Sequence, residues 1–575
     1  MRKIAAWILF LGLAAAPAVM AADGNDKTSD AKTDKTSTNT NKANAPAPTS
    51  TELEAEIEQL RALIKEQADQ LAAMKAAMPN AGATNAGTTN GSAANSAPPS
   101  GTASGTMATP AVMTTASASP SVMPAAGAAP AQGGEDVSPL QFRIGSATIQ
   151  PIGFMDFTTV WRSHDVGSGI GTNFAGIPYG NNFQDNLSEF RFSMQNSRIG
   201  FRIDATVKGA HVMGYMESDF LGNNPGNVGV SSNSNTLRSR LYWVDVRKDK
   251  WEILGGQTWS LITPGRSGIS PLPGDVFFTQ NIDVNYQLGL TWGRIPEARF
   301  VYHPTDKVAV AVALDSPEQY VGGSAGGPLI SCPGGTASLI CGTGGATEFN
   351  NGATTLNSPN RAPDVIGKIA FDPSSRIHVE AGGLERQFHD FNTVSSAKFS
   401  KTGAGAFVNF NLELFKGFRF ISNNYWSSGG GRYIFGQVPD VIVRADGSIS
   451  PIRNGSTVSG FEFTHKKTLL YAYYGGVYVA RNTAFDTNGT TPIGYGAVGA
   501  VGSTAQNRFV QEGTVGFSQT VWKDAKYGAL NFMGQYSYIS RDPWFVATGQ
   551  PANAHINMVF LDLRYTLPGG APSTK

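Results

Sequence analysis

Arginines and carboxylates in this chain alternate with apolar residues over short stretches, and that spacing is where its chemistry would lie. Around Phe190, Phe192 and Met194, the intervening residues are Arg191, Ser193 and Gln195. Further along, Ile199, Phe201 and Ile203 share one face of an extended strand, so Arg198, Arg202 and Asp204 share the other. The phase changes between the two sets, which predicts a β-bulge near Asn196. The next segment places Glu217 and Asp219 on its polar side, and Arg299, Arg419 and Arg564 also oppose apolar neighbours. An arginine facing hydrocarbon costs about 2–4 kcal/mol at mid-membrane, so these side chains are expected to face water. Cations on one wall and carboxylates on another would set up a transverse field that sorts solutes by charge. Arg198 and Arg202 lie close enough in sequence register to Glu217 and Asp219 for mutual neutralisation.

Catalytic constellations are not evident. The seven histidines are scattered, and His303 and His465 sit at expected turns. His378 alternates inward beside Glu380, a pair that general acid–base catalysis could use. A polar pair lining an aqueous space is the competing reading. The single GxSxG string, Gly322-Gly323-Ser324-Ala325-Gly326, falls in an expected long loop and not at a strand-to-helix turn, and no histidine cluster has metal-ligand spacing. No catalytic, cofactor or metal residue is therefore expected.

The elements that must position these residues are strands. In the last of them, Asn557 to Leu567, Val559, Leu561, Leu563, Tyr565 and Leu567 share one face, and Phe560, Asp562, Arg564 and Thr566 the other. The faces Val308-Val310-Val312-Leu314 and Ala309-Ala311-Ala313 repeat the pattern. A strand greasy on one side and polar on the other separates two media. Short polar turns are expected at Val207–Gly209, Lys248–Lys250, Pro304–Asp306, Pro373–Ser375, Lys416–Gly417, His465–Lys467 and Lys523–Lys526. Long loops rich in Gly, Asn, Ser and Pro are expected near Arg162–Leu187, Gly222–Thr236, Leu261–Asn285, Ser316–Arg361, Phe388–Ser400, Ser427–Val458, Asn482–Gln506 and Arg541–His555. These turns and loops alternate, which gives sixteen strands with both chain ends on the short-turn side. The fold expected over 141–567 is all-β: a 16-stranded antiparallel transmembrane β-barrel. A soluble sandwich would share the one-sided burial but not the asymmetry in loop length. Lys+Arg 44 against Asp+Glu 43 leaves no basic footprint for nucleic acid.

Residues 1–21 read as a secretory signal: Arg2 and Lys3, an apolar run from Ile4 to Val19, then small residues around Ala21. Export without a later membrane helix places a barrel in a bacterial outer membrane. Residues 22–50 are polar and expected to be disordered. Residues 51–78 carry a heptad seam through Leu53, Ile57, Leu60, Ile64, Gln67, Leu71, Met74 and Met78, which predicts a periplasmic N-terminal α-helical coiled coil about 40 Å long. Residues 79–140 form a low-complexity, disordered linker, and 568–575 a short tail. The two cysteines, Cys332 and Cys341, suit a local disulfide in an oxidising compartment. A two-cysteine metal site is the rival reading, without histidine or carboxylates clustered nearby.

Several segments resemble the DcaP-like outer-membrane porins. They are Gln195-Asn196-Ser197-Arg198-Ile199-Gly200-Phe201-Arg202, Tyr215-Met216-Glu217-Ser218-Asp219-Phe220-Leu221-Gly222, Leu254-Gly255-Gly256-Gln257-Thr258-Trp259 and Leu563-Arg564-Tyr565-Thr566-Leu567-Pro568. An N-terminal coiled coil ahead of the barrel is a further family feature. The chain departs from the pattern in its long uncharged linker and in the residues after Leu567, which displace the terminal aromatic to Tyr565. The resemblance implies a homotrimer that admits small, often anionic solutes such as dicarboxylates. In porins the third loop commonly folds into the lumen, which makes Arg266 and Asp275 candidate constriction residues. The expected function is a trimeric porin passing small hydrophilic solutes with an anion preference, and its partners are outer-membrane lipid and those solutes. Two alternatives stand: a barrel enzyme of phospholipase or protease type, and a structural tether whose coiled coil contacts the cell wall or a periplasmic partner.

Overall fold

The computed structural model describes residues 139–222, 235–276, 279–323, 328–334, 361–392, 395–435 and 437–568. The signal, coiled coil, nearly all of the linker, Cys341 and the end of the tail lie outside the described residues.

Eighteen extended segments form one antiparallel sheet. Two of them are a single strand broken by a bulge, and one is the three-residue arm Phe142–Ile144. Sixteen strands remain and close a barrel. In chain order they are β1 (Ala147–Arg162), β2 (Glu189–Ser193 with Arg198–Val207), β3 (Ala210–Asp219), β4 (Arg238–Lys248), β5 (Trp251–Trp259), β6 (Arg294–Thr305), β7 (Val308–Asp315) and β8 (Asp364–Ser374). They continue as β9 (Ile377–Asn392), β10 (Ala397–Phe415), β11 (Phe418–Ser428), β12 (Arg453–His465), β13 (Thr468–Val479), β14 (Asn507–Asp524), β15 (Gly528–Pro543) and β16 (Ala554–Thr566). Each pairs with its sequence neighbours, and β16 closes on β1 from Phe154↔Thr566 to Arg162↔Met558.

All seven expected short turns lie between strands. At the first, Lys208 and Gly209 both have positive φ, the two-residue hairpin geometry that matches strand twist. Three loop boundaries need correction; the sixth ends at Ile452, because β12 begins at Arg453. The fifth is only 393–396, because β9 and β10 extend to Asn392 and from Ala397. The third runs on to Gly293, just before β6. The bulge near Asn196 is present. Between the pairs Thr158↔Ser193 and Phe154↔Arg198, β1 advances four residues and β2 five. Opposite it, Gly153 has φ +140, and a Cβ there would lie 2.2 Å from the Arg198 carbonyl oxygen.

Alternation sorts side chains as the two-media pattern requires. Val312 is 44% exposed while its neighbour Ala311 is 2% exposed. Exposed aromatics mark both rims: Trp251, Phe415, Trp522 and Tyr527 at the short-turn end, and Trp161, Trp426 and Tyr478 at the long-loop end. Between β11 and β12 the outer face carries Ser422, Asn424, Thr457 and Ser459. Their side chains bond one another at 2.9 Å, so few polar groups there need a solvent partner. Among the described residues no helix is long and apolar enough to cross a membrane.

Candidate functional site: the barrel interior

The third loop (260–293) folds inward, and its apolar residues Leu261, Ile262, Ile282, Val284, Leu288 and Leu290 are buried. Irregular backbone at this depth must find partners for its N–H groups. The wall provides them. Gly265 N–H donates to Glu380 at 3.1 Å, Gly268 N–H to Asp372 at 2.9 Å, and Leu288 N–H to Glu512 at 2.8 Å. Gln280, Ile282 and Thr291 N–H donate to Tyr473, Gln535 and Asn423. Close backbone approach completes the fit: a Cβ on Gly475 of β13 would lie 1.9 Å from the Leu288 carbonyl oxygen.

Arg266, expected at a constriction, bonds both carboxylate oxygens of Glu462 at 2.9 and 2.6 Å. Its backbone N–H donates to the Asp275 carbonyl, which ties the two constriction candidates together. Lys368 bonds Glu380 at 3.1 Å and the Thr263 carbonyl at 2.8 Å. His378 lies between Asp372 at 2.9 Å and Glu380 at 3.3 Å. The carboxylates of this wall are therefore engaged in holding the loop. Replacing Arg266 by Ala should loosen it and leave Glu462 with one fewer counterion. The expected result is noisier single-channel current with a raised mean conductance; an unchanged trace at all voltages would show that Glu462 does not anchor the loop.

The opposite wall is rich in guanidinium groups. Arg240 of β4 is fully buried and donates to Glu217 at 2.8 Å and to Asp219 at 2.6 Å. Arg238 donates twice to Asp219, at 3.0 and 2.8 Å. Arg198 meets Glu217 at 3.5 Å and covers the Phe154 ring at 4.9 Å. Arg294, at the start of β6, stacks on Trp259 at 5.7 Å, and its buried Nη1 has no hydrogen-bond partner among the described residues. Four arginines thus gather around two carboxylates, Glu217 and Asp219, while Asp245, Glu252 and Glu297 are buried further along the same strands.

The remaining expected residues are distributed differently. Arg202, expected from register beside Glu217 and Asp219, pairs with Asp204 on its own strand at 2.7 Å. Arg191 pairs with Glu189 at 2.6 Å and stays half exposed, opposite the buried Val160. Arg299 bonds Glu297 and the Trp259 carbonyl, each at 2.6 Å. Arg564 joins Asp156 at 2.5 Å and Asp562 at 3.0 Å across the closing seam. Arg419 bonds Asn411 at 3.0 Å near the short-turn end. Arg238, Arg240 and Arg294 were missed by strict alternation. At Arg240 the register skips: Glu217 pairs with Leu241, and Ser218 with Ser239. The bulge turns inward a side chain that the phase of Tyr242, Val244 and Val246 would aim at lipid. The cost of arginine in hydrocarbon was the signal that could have revealed it.

Comparison with solved structures follows this geometry. The outer membrane channel DcaP of Acinetobacter baumannii superposes with TM-score 0.53 at 16% identity, covering 73% of this chain and 97% of that one. The fold is that of an outer-membrane channel. The resemblance to DcaP-like proteins read from sequence is therefore matched by the fold. An anion-selective porin from Comamonas acidovorans matches at TM-score 0.41 and 12% identity, over 73% of this chain and 99% of that one. Pseudomonas putida OprB matches at TM-score 0.39 and 10% identity, over 72% and 94%. No protein-family model matches the chain, and no curated protein does.

Proposed function

We propose that the protein is a trimeric outer-membrane porin for passive diffusion of small hydrophilic solutes with a preference for anions, dicarboxylates among them. The observation that carries this reading is the arginine wall. Arg198, Arg238, Arg240 and Arg294 outnumber Glu217 and Asp219, while Asp372, Glu380, Glu462 and Glu512 are occupied by the third loop. Net positive charge beside a low-dielectric wall attracts anions and repels cations. The inward Arg191, Arg202, Arg299, Arg419 and Arg564 would line the same route, largely as paired struts. Reversal potentials across a tenfold KCl gradient test the proposal: a positive preference for chloride supports it, and cation selectivity of the wild-type channel would sink it. Crosslinking in detergent should stop at trimers. The periplasmic coiled coil at 51–78 would assist by raising the local concentration of its partners.

A disulfide between Cys332 and Cys341 belongs to the same proposal. Peptide mass spectrometry without reductant should find the two joined, and alkylation of both thiols without reductant would exclude it. The double variant Cys332→Ser/Cys341→Ser should insert normally, since hydrogen bonds between strands close the barrel.

A barrel enzyme retains one specific observation. His389 Nδ1 lies 3.0 Å from Ser400 Oγ on the exposed β9–β10 hairpin. Among the described residues no carboxylate forms an ion pair with His389 to orient the ring, as nucleophile activation normally requires. Ester hydrolysis abolished by Ser400→Ala would favour that reading over the porin.

A further inference from the structure

The strongest unassigned chemistry lies on the outer surface of the barrel, at the long-loop rim above β12 to β15. Trp544 is fixed there as a plate. Its indole N–H donates to the Val479 carbonyl at 2.8 Å, and its backbone N–H donates to the Gln506 carbonyl at 3.0 Å. The guanidinium of Arg481 stacks on the ring at 4.7 Å and that of Arg508 at 5.9 Å. One Arg481 nitrogen also donates to the Trp544 carbonyl at 3.3 Å, which holds the side chain over the plate. Arg508 is the extra residue of a bulge between Asn507 and Phe509, which explains how a strand position is aimed at the rim. Arg453 begins β12 next door, its carbonyl accepting from Ala480 N–H at 2.9 Å. All three arginines are exposed, and none forms an ion pair among the described residues. The nearby acidic group is Asp542, which faces Phe509 across the β14–β15 ladder and leaves the patch net positive.

The plate also fixes which side the patch faces. Tyr478, exposed on the lipid side of β13, meets Trp544 edge to face at 6.3 Å. Aromatics of this kind sit at headgroup level in membrane barrels. Guanidinium groups without a carboxylate partner, just above them, are placed where lipid phosphates lie, and arginine forks bind phosphate oxygens in pairs. We infer that Arg481 and Arg508, stacked on Trp544, together with Arg453 at the adjacent start of β12, bind a phosphate of an outer-leaflet glycolipid headgroup. The inference rests on the outer-membrane location and not on the porin reading, because none of these residues lies in the lumen.

The test uses the full-length protein in phosphatidylcholine nanodiscs containing either bis-phosphorylated lipid A or its dephosphorylated form, with lipid bound per chain measured by native mass spectrometry. The wild type should prefer the phosphorylated form by about tenfold or more, and the variant Arg453→Gln/Arg481→Gln/Arg508→Gln should lose that preference. Its conductance and reversal potential should match wild type, which separates failure here from failure of the porin reading. Equal retention by wild type and variant would overturn the inference. So would displacement of the lipid by millimolar inorganic phosphate, which would assign the patch to a free anion. Should the triple variant not fold, Arg481→Gln alone decides, with a partial loss expected and full retention contradicting the assignment.

Discussion

Replacing Arg240 by Ala should destabilise the folded barrel more than any other single exchange on the arginine wall. The side chain is fully buried and holds Glu217 and Asp219 together. Removing it leaves Asp219 to Arg238 alone, and Glu217 to Arg198 at 3.5 Å. Breaking a buried pair by deleting one partner typically costs about 3–5 kcal/mol, because a charge stays behind without compensation. The thermal transition of the folded band in detergent should fall clearly for Arg240→Ala. Adding Glu217→Gln and Asp219→Asn should lower it further, since Arg198, Arg238 and Arg294 would then share the cluster with neither carboxylate. A triple variant no less stable than Arg240→Ala would show that packing against Trp259, at 5.9 Å from the guanidinium, matters more than charge. An unchanged transition for the single variant would remove the cluster from any account of stability.

Arg294→Glu should produce the largest change in selectivity. Arg294 adds a positive charge to the wall without a carboxylate of its own among the described residues, and its Nη1 is unsatisfied there. The exchange alters local charge by two and sets a new carboxylate in the neighbourhood of Asp219. Anion preference should drop by roughly fivefold or more, or change sign, with conductance affected less. High salt should shrink the difference, as screening shortens the reach of the field. Arg191→Ala and Arg299→Ala serve as contrasts. Arg191 shares Glu189 with the buried Arg162, and Arg299 pairs with Glu297. Their reversal potentials should shift less than that of Arg294→Glu. If Arg191 and Arg299 dominate instead, the filter lies away from the Trp259 cluster, and a result insensitive to all of these changes would move it to the third loop.

The sequence by itself determined the barrel. Strands with one apolar face, short turns and long loops in strict alternation leave one closed antiparallel solution, because open edges and irregular backbone cannot face lipid. Even the bulge near Asn196 was legible, since a phase change between Phe192 and Ile199 has no other local cause. Which arginines act together was decided by tertiary structure. Arg198, Glu217 and Asp219 are buried together, but a bulge at Arg240 and the end of a long loop at Arg294 reset the phase that alternation assumes. The carboxylates tell the same story. Glu380, Glu462 and Glu512 lie on inward strand positions, yet their carboxylate oxygens are taken by backbone and side-chain donors of a loop up to 224 residues away in sequence. Local pattern fixes which side of a strand a residue occupies. Only the path of the inserted loop fixes which of those charges remains available to a solute.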